Sequence, residues 1–315
     1  MFIATERDVT SAVLAEAAHA PDARTREILQ AGITHLHAFV RDARLTENEF
    51  RQLCAVLARL GQRTNESHNE VMLAAGSLGV SALVCLLNNG GERAQTTANL
   101  MGPFWREGSP RMENGASIVR SPTPGAPVFV NAWVHDAEHR PVADARVDVW
   151  HASPEGFYEN QDPTQAQMNL RGTFSTDAAG HIAFRTVKPA GYPVPADGPV
   201  GDLLRAQGRH NMRPAHLHFM IHKDGYKTQF SQVYSSDDPN LETDSQFGVT
   251  QALIAHYVLH DTAIHASPAA DVSGPWYSLD FHFVVARGDA ALPKPPITGK
   301  AEGPRPQLDV LKRRR

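Results

Sequence analysis

The sequence predicts an α+β protein, an N-terminal helical unit followed by a mainly antiparallel β-sandwich. From Thr25 to about Leu60 apolar side chains recur at spacings of three and four, the helical period. Beyond Gly102-Pro103 that pattern gives way to short alternating segments separated by turn residues. Near Arg287 these stop and prolines take over. The expected organisation is a helical unit over 1–100, a linker over 101–127, a β-sandwich over 128–288 and a Pro-rich basic tail over 289–315.

The helices come first. Leu53, Val56, Leu57 and Leu60 share one helical face, and Ile28, Ile33, Leu36 and Val40 another. Thr46 followed by Glu49 reads as a capping box opening the second helix. A third helical stretch covers about 66–87, and Asn88-Asn89-Gly90-Gly91 closes it with residues that tolerate positive φ. Pro122-Thr123-Pro124-Gly125 then punctuates an irregular connection. Strands are expected at 128–134, 145–150, 172–176, 181–187 and 215–221, and Asp177-Ala178-Ala179-Gly180 reads as a hairpin turn between two of them. Short, regularly interrupted strands point to a sandwich or barrel.

Composition bounds the function. A hydrophobic fraction of 42% in 315 residues supplies a core, and a formal net charge of −4 gives no electrostatic reason for a nucleic-acid or membrane partner. Cys54 and Cys85 lie far apart, form no CxxC motif and suit a reducing compartment. No apolar run approaches the roughly 20 residues of a spanning helix, and the N-terminus lacks a secretory pattern, so a cytoplasmic location is expected. The tail ends in Lys312-Arg313-Arg314-Arg315, read as a solvated terminus.

The 16 histidines invite a search for metal chemistry. His35 and His37 fall on a helix, where residues two apart face different ways, and read as ordinary histidines. His216 and His218 fall on a strand, where residues two apart share a face and can meet one ion. Arg213, three residues earlier, places a permanent cation nearby. Tyr158 and Tyr192 sit in loops at strand ends; by spacing alone they read as half-buried aromatics.

These residues resemble a known family, the intradiol ring-cleaving dioxygenases of the catechol and hydroxyquinol 1,2-dioxygenase group. The resemblance runs through Val147-Asp148-Val149-Trp150-His151-Ala152, Gly156-Phe157-Tyr158, Arg171-Gly172, Gly191-Tyr192-Pro193, Gly208-Arg209-His210 and Arg213-Pro214-Ala215-His216-Leu217-His218-Phe219. It covers the chain to about Arg287 and leaves the tail unaccounted for. It implies one non-haem Fe(III) per subunit, held by Tyr158, Tyr192, His216 and His218. Phenolate oxygens favour the ferric state, whereas two histidines with one carboxylate suit ferrous oxygenases. An ortho-diol would displace Tyr192 while Tyr158 stays, and O2 would open the ring between the hydroxyl-bearing carbons to a cis,cis-muconate-type product. Arg213 would stabilise developing charge, with Gln232 holding that arrangement.

The resemblance further places Leu73, Gly76, Leu100, Pro103, Phe104, Val194, Ser245 and Gln246 around the substrate. Ser245-Gln246 departs from the apolar pair of the family and points to a more polar ring substituent or a neighbouring hydrogen-bond network, while Leu73-Ala74-Ala75-Gly76 resembles the catechol branch; the expected diol is a hydroxylated catechol, hydroxyquinol ahead of catechol. The family also implies a homodimer through the N-terminal helices, with a lipid held at that interface. The competing readings are a zinc-dependent hydrolase using His216 and His218, with His222 four residues on, and a non-catalytic β-sandwich binding module.

Overall fold

The computed structural model describes residues 2–89 and 98–313. They form two compact units, Met1–Ala58 and Arg59–Arg315.

The first unit contains α1 (Glu6–Ala17), α2 (Ala23–Ala43) and most of α3 (Glu47–Arg63). α1, unanticipated from the sequence, opens where the Thr5 N–H donates to Asp8 Oδ2 at 2.7 Å. The Asp22 carboxylate caps α2 by accepting from the Thr25 N–H, and α2 ends at Arg44 in the left-handed region, φ 49°. The expected capping box opens α3: the Thr46 N–H donates to Glu49 Oε2 at 2.8 Å and the Glu49 N–H returns to Thr46 Oγ1. His37 is ordinary, its Nδ1 meeting Thr10 Oγ1 at 2.9 Å between α1 and α2.

In the second unit the expected third helix is two, α4 (Glu70–Ser77) and α5 (Val80–Asn89), bent by 74°. The break falls at Gly79, whose φ of +73° no helix continues through. Gly90 and Gly91, expected to close this stretch, lie outside the described residues. No single helix among the described residues is long and apolar enough to cross a membrane.

The strands are β1 (Pro127–Asp136), β2 (Arg146–Trp150), β3 (Arg171–Ser175), β4 (His181–Val187), β5 (Tyr192–Pro193), β6 (Met212–Arg213), β7 (His216–His222), β8 (Gln229–Ser235), β9 (Ile254–Ala255), β10 (Val258–His260) and β11 (Trp276–Val285), with α6 (Pro199–Ala206) between β5 and β6. A five-stranded sheet runs β3-β2-β7-β8-β9 and a four-stranded sheet β10-β11-β1-β4, while β5 pairs with β6. Pairing is antiparallel except for β1 with β11 and β8 with β9. The Asp177–Gly180 turn forms, with Gly180 at φ +71°, but it is a crossover between sheets. β3 pairs with β2, whereas β4 pairs with β1, so the expected hairpin is corrected.

Alternation on β7 decides the architecture. Leu217, Phe219 and Ile221 face Val130, Val147, Phe283 and their neighbours in the core between the sheets. Each such burial contributes about 1.5–3 kcal/mol. His216, His218 and Met220 face the other way, toward a second cluster holding Trp150, Tyr158 and Tyr192. The tail has no regular secondary structure yet is anchored: the Thr298 and Gly299 N–H groups donate to Glu66 O, and Ile297 is buried.

Candidate active site

The register of the five-stranded sheet builds the site floor. Trp150 of β2 lies opposite His218, His218 opposite Gln232, and His216 opposite Tyr234. Opposed residues share a face, so these side chains cluster by strand pairing alone. The Trp150 ring stacks on His218 at 4.6 Å between centroids. Tyr158 enters on the loop after β2, which turns at Gly156 with φ +90°. The next two residues lock that loop. Buried Glu159 Oε1 accepts from Arg106 Nη1 at 2.7 Å and Arg171 Nε at 2.9 Å, and Arg171 Nη2 donates to Asn160 Oδ1 at 2.8 Å. Tyr192 enters on β5, opposite Arg213.

The four ligand candidates converge. The Tyr158 hydroxyl lies 3.1 Å from that of Tyr192, 3.0 Å from His218 Nε2 and 3.4 Å from His216 Nε2, and the two Nε2 atoms are 3.1 Å apart. Donors around one first-row metal ion, with bonds of about 2 Å, sit about 3 Å from one another. His216 Nδ1 bonds Pro214 O at 2.7 Å as donor, so its Nε2 presents a lone pair to the cluster. Burial is the main cause that lowers the His216 pKa to about 3, and burial with neighbouring positive charge holds that of His218 well below its ordinary value. Both imidazoles are neutral near pH 7, as metal ligands must be. Burial first, then Tyr192, pushes the Tyr158 phenol well up; burial likewise raises Tyr192 against the Arg213 charge. A cation among these oxygens reverses that balance and ionises them. The donor set therefore fits a ferric ion.

Arg213 is buried beside this cluster, its Nη1 3.4 Å from His216 Nε2. Its Nε and Nη2 donate to the two oxygens of Asp244 at 3.0 and 2.9 Å, and Nη2 also donates to Gln232 Oε1 and to Tyr234 Oη. Gln232 is fixed in turn, its Nε2 donating to Leu100 O at 2.7 Å. Burial alone would lower the Arg213 pKa, but Asp244 and the phenols outweigh it and raise it. Sequence reasoning missed Asp244 and Tyr234. Tyr234 was findable, two residues beyond Gln232 on the same strand face. Asp244 was not, because no spacing rule joins an arginine to an acid 31 residues on.

The expected pocket residues divide. Gly76, Leu100, Pro103 and Gln246 line a cavity of about 300 Å³ together with Gly102, which lies against His218. Leu73, Phe104 and Val194 pack in the apolar cluster around the tyrosines, with Phe104 4.6 Å from the Tyr158 ring. Ser245 is buried elsewhere, its hydroxyl donating to Asn211 O. Gln246 Nε2 donates to Ser77 Oγ at 2.7 Å, and a Cβ on Gly76 would collide with Gln246 Oε1. A larger cleft of about 570 Å³ around Arg111 and Arg146 holds none of these residues. Among the described residues no group of three or more His, Cys, Asp and Glu side chains converges as a metal site. His222, the third ligand that a zinc reading would call on, instead meets Thr228 Oγ1 at 2.8 Å.

Residues 100–283 match the Dioxygenase family model, and residues 22–96 match the model described as Catechol dioxygenase N terminus. The two models together place the chain among the ring-cleaving dioxygenases. The chain belongs to the intradiol dioxygenase family, whose members use non-haem iron. It is 38% identical to hydroxyquinol 1,2-dioxygenase of Rhizobium sp. strain MTP-10005 over 87% of this chain and 93% of that protein. It is 35% identical to catechol 1,2-dioxygenase of Candida albicans over 74% of this chain and 78% of that protein. The solved hydroxyquinol 1,2-dioxygenase of Pseudomonas putida DLL-E4 superposes with a TM-score of 0.80 at 35% identity, covering 90% of this chain and 99% of that one.

Proposed function

We propose that this enzyme binds one Fe(III) through Tyr158, Tyr192, His216 and His218 and cleaves hydroxyquinol, with catechol as the poorer substrate. The observation that carries the metal assignment is the convergence on Tyr158 Oη, which lies 3.0–3.4 Å from the Tyr192 hydroxyl and from both imidazole Nε2 atoms, themselves 3.1 Å apart. Bound there, ferric iron supplies the Lewis acidity that chelates both oxygens of an ortho-diol and makes its ring reactive toward O2.

The chain's own residues do the rest. Tyr158 is held by the loop that Glu159, Arg106 and Arg171 lock, and so stays in place when a diol enters. Tyr192 rides on a two-residue ladder and would be the phenol that gives way to a diol, its oxygen taking up a diol proton. Arg213, fixed by Asp244, Gln232 and Tyr234, stabilises negative charge on the bound substrate without reorganising. Leu100, Pro103 and Gly102 line the cavity, with Gly102 against His218. Cleavage between the hydroxyl-bearing carbons takes up both atoms of O2 and gives a muconate-type dicarboxylic acid.

The Gln246 amide, with Asn99 and Ser81, gives a largely apolar cavity polar groups that support a hydroxylated ring, as do relatives named for hydroxyquinol and 6-chlorohydroxyquinol. Oxygen-uptake kinetics with both diols test the preference, and a higher kcat/KM for catechol reverses it. The same reading takes the protein to be a cytoplasmic homodimer. Its free thiols Cys54 and Cys85 support the location. The exposed Leu36, Phe39, Phe50 and Leu57 on α2 and α3 support a dimer through the N-terminal helices with a lipid chain at the interface.

A further inference from the structure

Residues 289–313 lie outside both matched segments, yet part of this tail is built into the walls of the site. Arg305 grips the loop that carries Tyr158. Its guanidinium pairs with both Glu155 oxygens at 3.0 and 3.1 Å, its Nε lies 3.0 Å from buried Asp162, and it stacks over Phe157. Leu308 then fills the space over Gly156. A Cβ on that glycine would sit 2.9 Å from Leu308 Cδ1 and 3.2 Å from Tyr192 Cβ, so one spot joins the Tyr158 loop, Tyr192 and the tail.

The last link is Asn211, fully buried and one residue before β6. Its Nδ2 donates to Val194 O at 2.6 Å and to Asp309 O at 2.8 Å, and its Oδ1 accepts the Leu311 N–H at 2.9 Å. Both amide donors are used, one toward the strand end beyond Tyr192 and one toward the tail. The β5–β6 ladder is only two residues long, and Pro193 contributes no N–H to it. Such a ladder does not fix Tyr192 by itself. Pro304 and Pro306 hold the tail extended at low entropic cost.

We propose that residues 305–311 form a positioning strap that sets the separation of the two tyrosine hydroxyls and limits the swing of Tyr192. This rests on the ferric reading above. Residues 305–311 touch no reacting atom; they act through Gly156, Asn211 and the two tyrosine-bearing segments.

The test compares the full chain with a chain ending at Pro304 and with Arg305→Ala, Leu308→Ala and Leu308→Met. Each is read by near-UV circular dichroism without iron, by the tyrosinate-to-iron visible band, and by the rate of iron loss to a chelator. The expected result is a changed near-UV signal, a shifted visible band and iron loss faster by about 10-fold in the truncated chain and Leu308→Ala, with Leu308→Met close to wild type. A lower melting temperature with an unchanged band and an unchanged rate of iron loss overturns the strap. Should the truncated chain not fold, the point variants decide by the same readouts. A full chain that takes up no iron refutes the ferric site instead, and the iron-free near-UV spectra still judge the strap: identical spectra overturn it.

Discussion

Asp244→Asn tests the electrostatic scaffold of the site. The carboxylate is buried and accepts two bonds from Arg213 and one each from the Gln246 and Gly248 N–H groups. Asparagine keeps the shape but removes the charge and turns an NH2 toward these donors. Breaking one half of a buried pair costs about 3–5 kcal/mol. For a unit of this size that lowers Tm by roughly 6–20 °C. Arg213 loses its fixed aim, and a misplacement of about 1 Å costs about 100-fold in kcat. Burial alone would raise the Asp244 pKa, but Arg213 and the two N–H donors lower it. The folded state therefore holds fewer protons there than the unfolded state. The contribution is complete above about pH 4 and disappears as pH falls through the lower folded pKa. Calorimetry and steady-state kinetics from pH 7 downward check this. A Tm change under about 2 °C at pH 7 with unchanged kcat/KM, or a gap that does not narrow in acid, refutes the reasoning.

Three further outcomes are expected. Tyr158→Phe lowers iron retention by roughly 10-fold or more and changes the visible band, checked by metal analysis and spectroscopy. Gly76→Ala, which would ordinarily favour helix α4, instead displaces Gln246 and costs about 1–3 kcal/mol; Gln246→Ala in the same chain restores stability, read by urea denaturation. Burial first, then the Arg171 charge, lowers the His151 pKa to about 4 despite its bond to Ala152 O. Its unfolded form takes a proton near pH 6.5, so about 3 kcal/mol of stability is lost between pH 6.5 and 4, and His151→Gln flattens that limb.

Much of the site was legible because its chemistry follows strand period. His216 and His218 are placed by alternation, and the surrounding motifs carried the resemblance that supplied Tyr158, Tyr192 and Gln232, the last of which the register sets opposite His218. What was not legible depends on distant pairing. Asp244 meets Arg213 only through the fold. The Asp177–Gly180 turn has the chemistry of a hairpin, but its two strands find different partners. The break at Gly79 was readable as a glycine inside a helical pattern, though apolar residues on both sides mask it. The tail read as a solvated extension because its anchors are hydrogen bonds to Glu66, Asn160 and Asn211, which no local pattern announces.

The most direct test of the account is the visible spectrum of the purified protein, with metal analysis on the same sample, before and after anaerobic addition of catechol and then hydroxyquinol. The account predicts near-stoichiometric iron and a broad tyrosinate-to-iron band that shifts when a diol binds and displaces Tyr192. A colourless protein that cannot be reconstituted with iron, or a band indifferent to both diols, contradicts the four-residue ferric site.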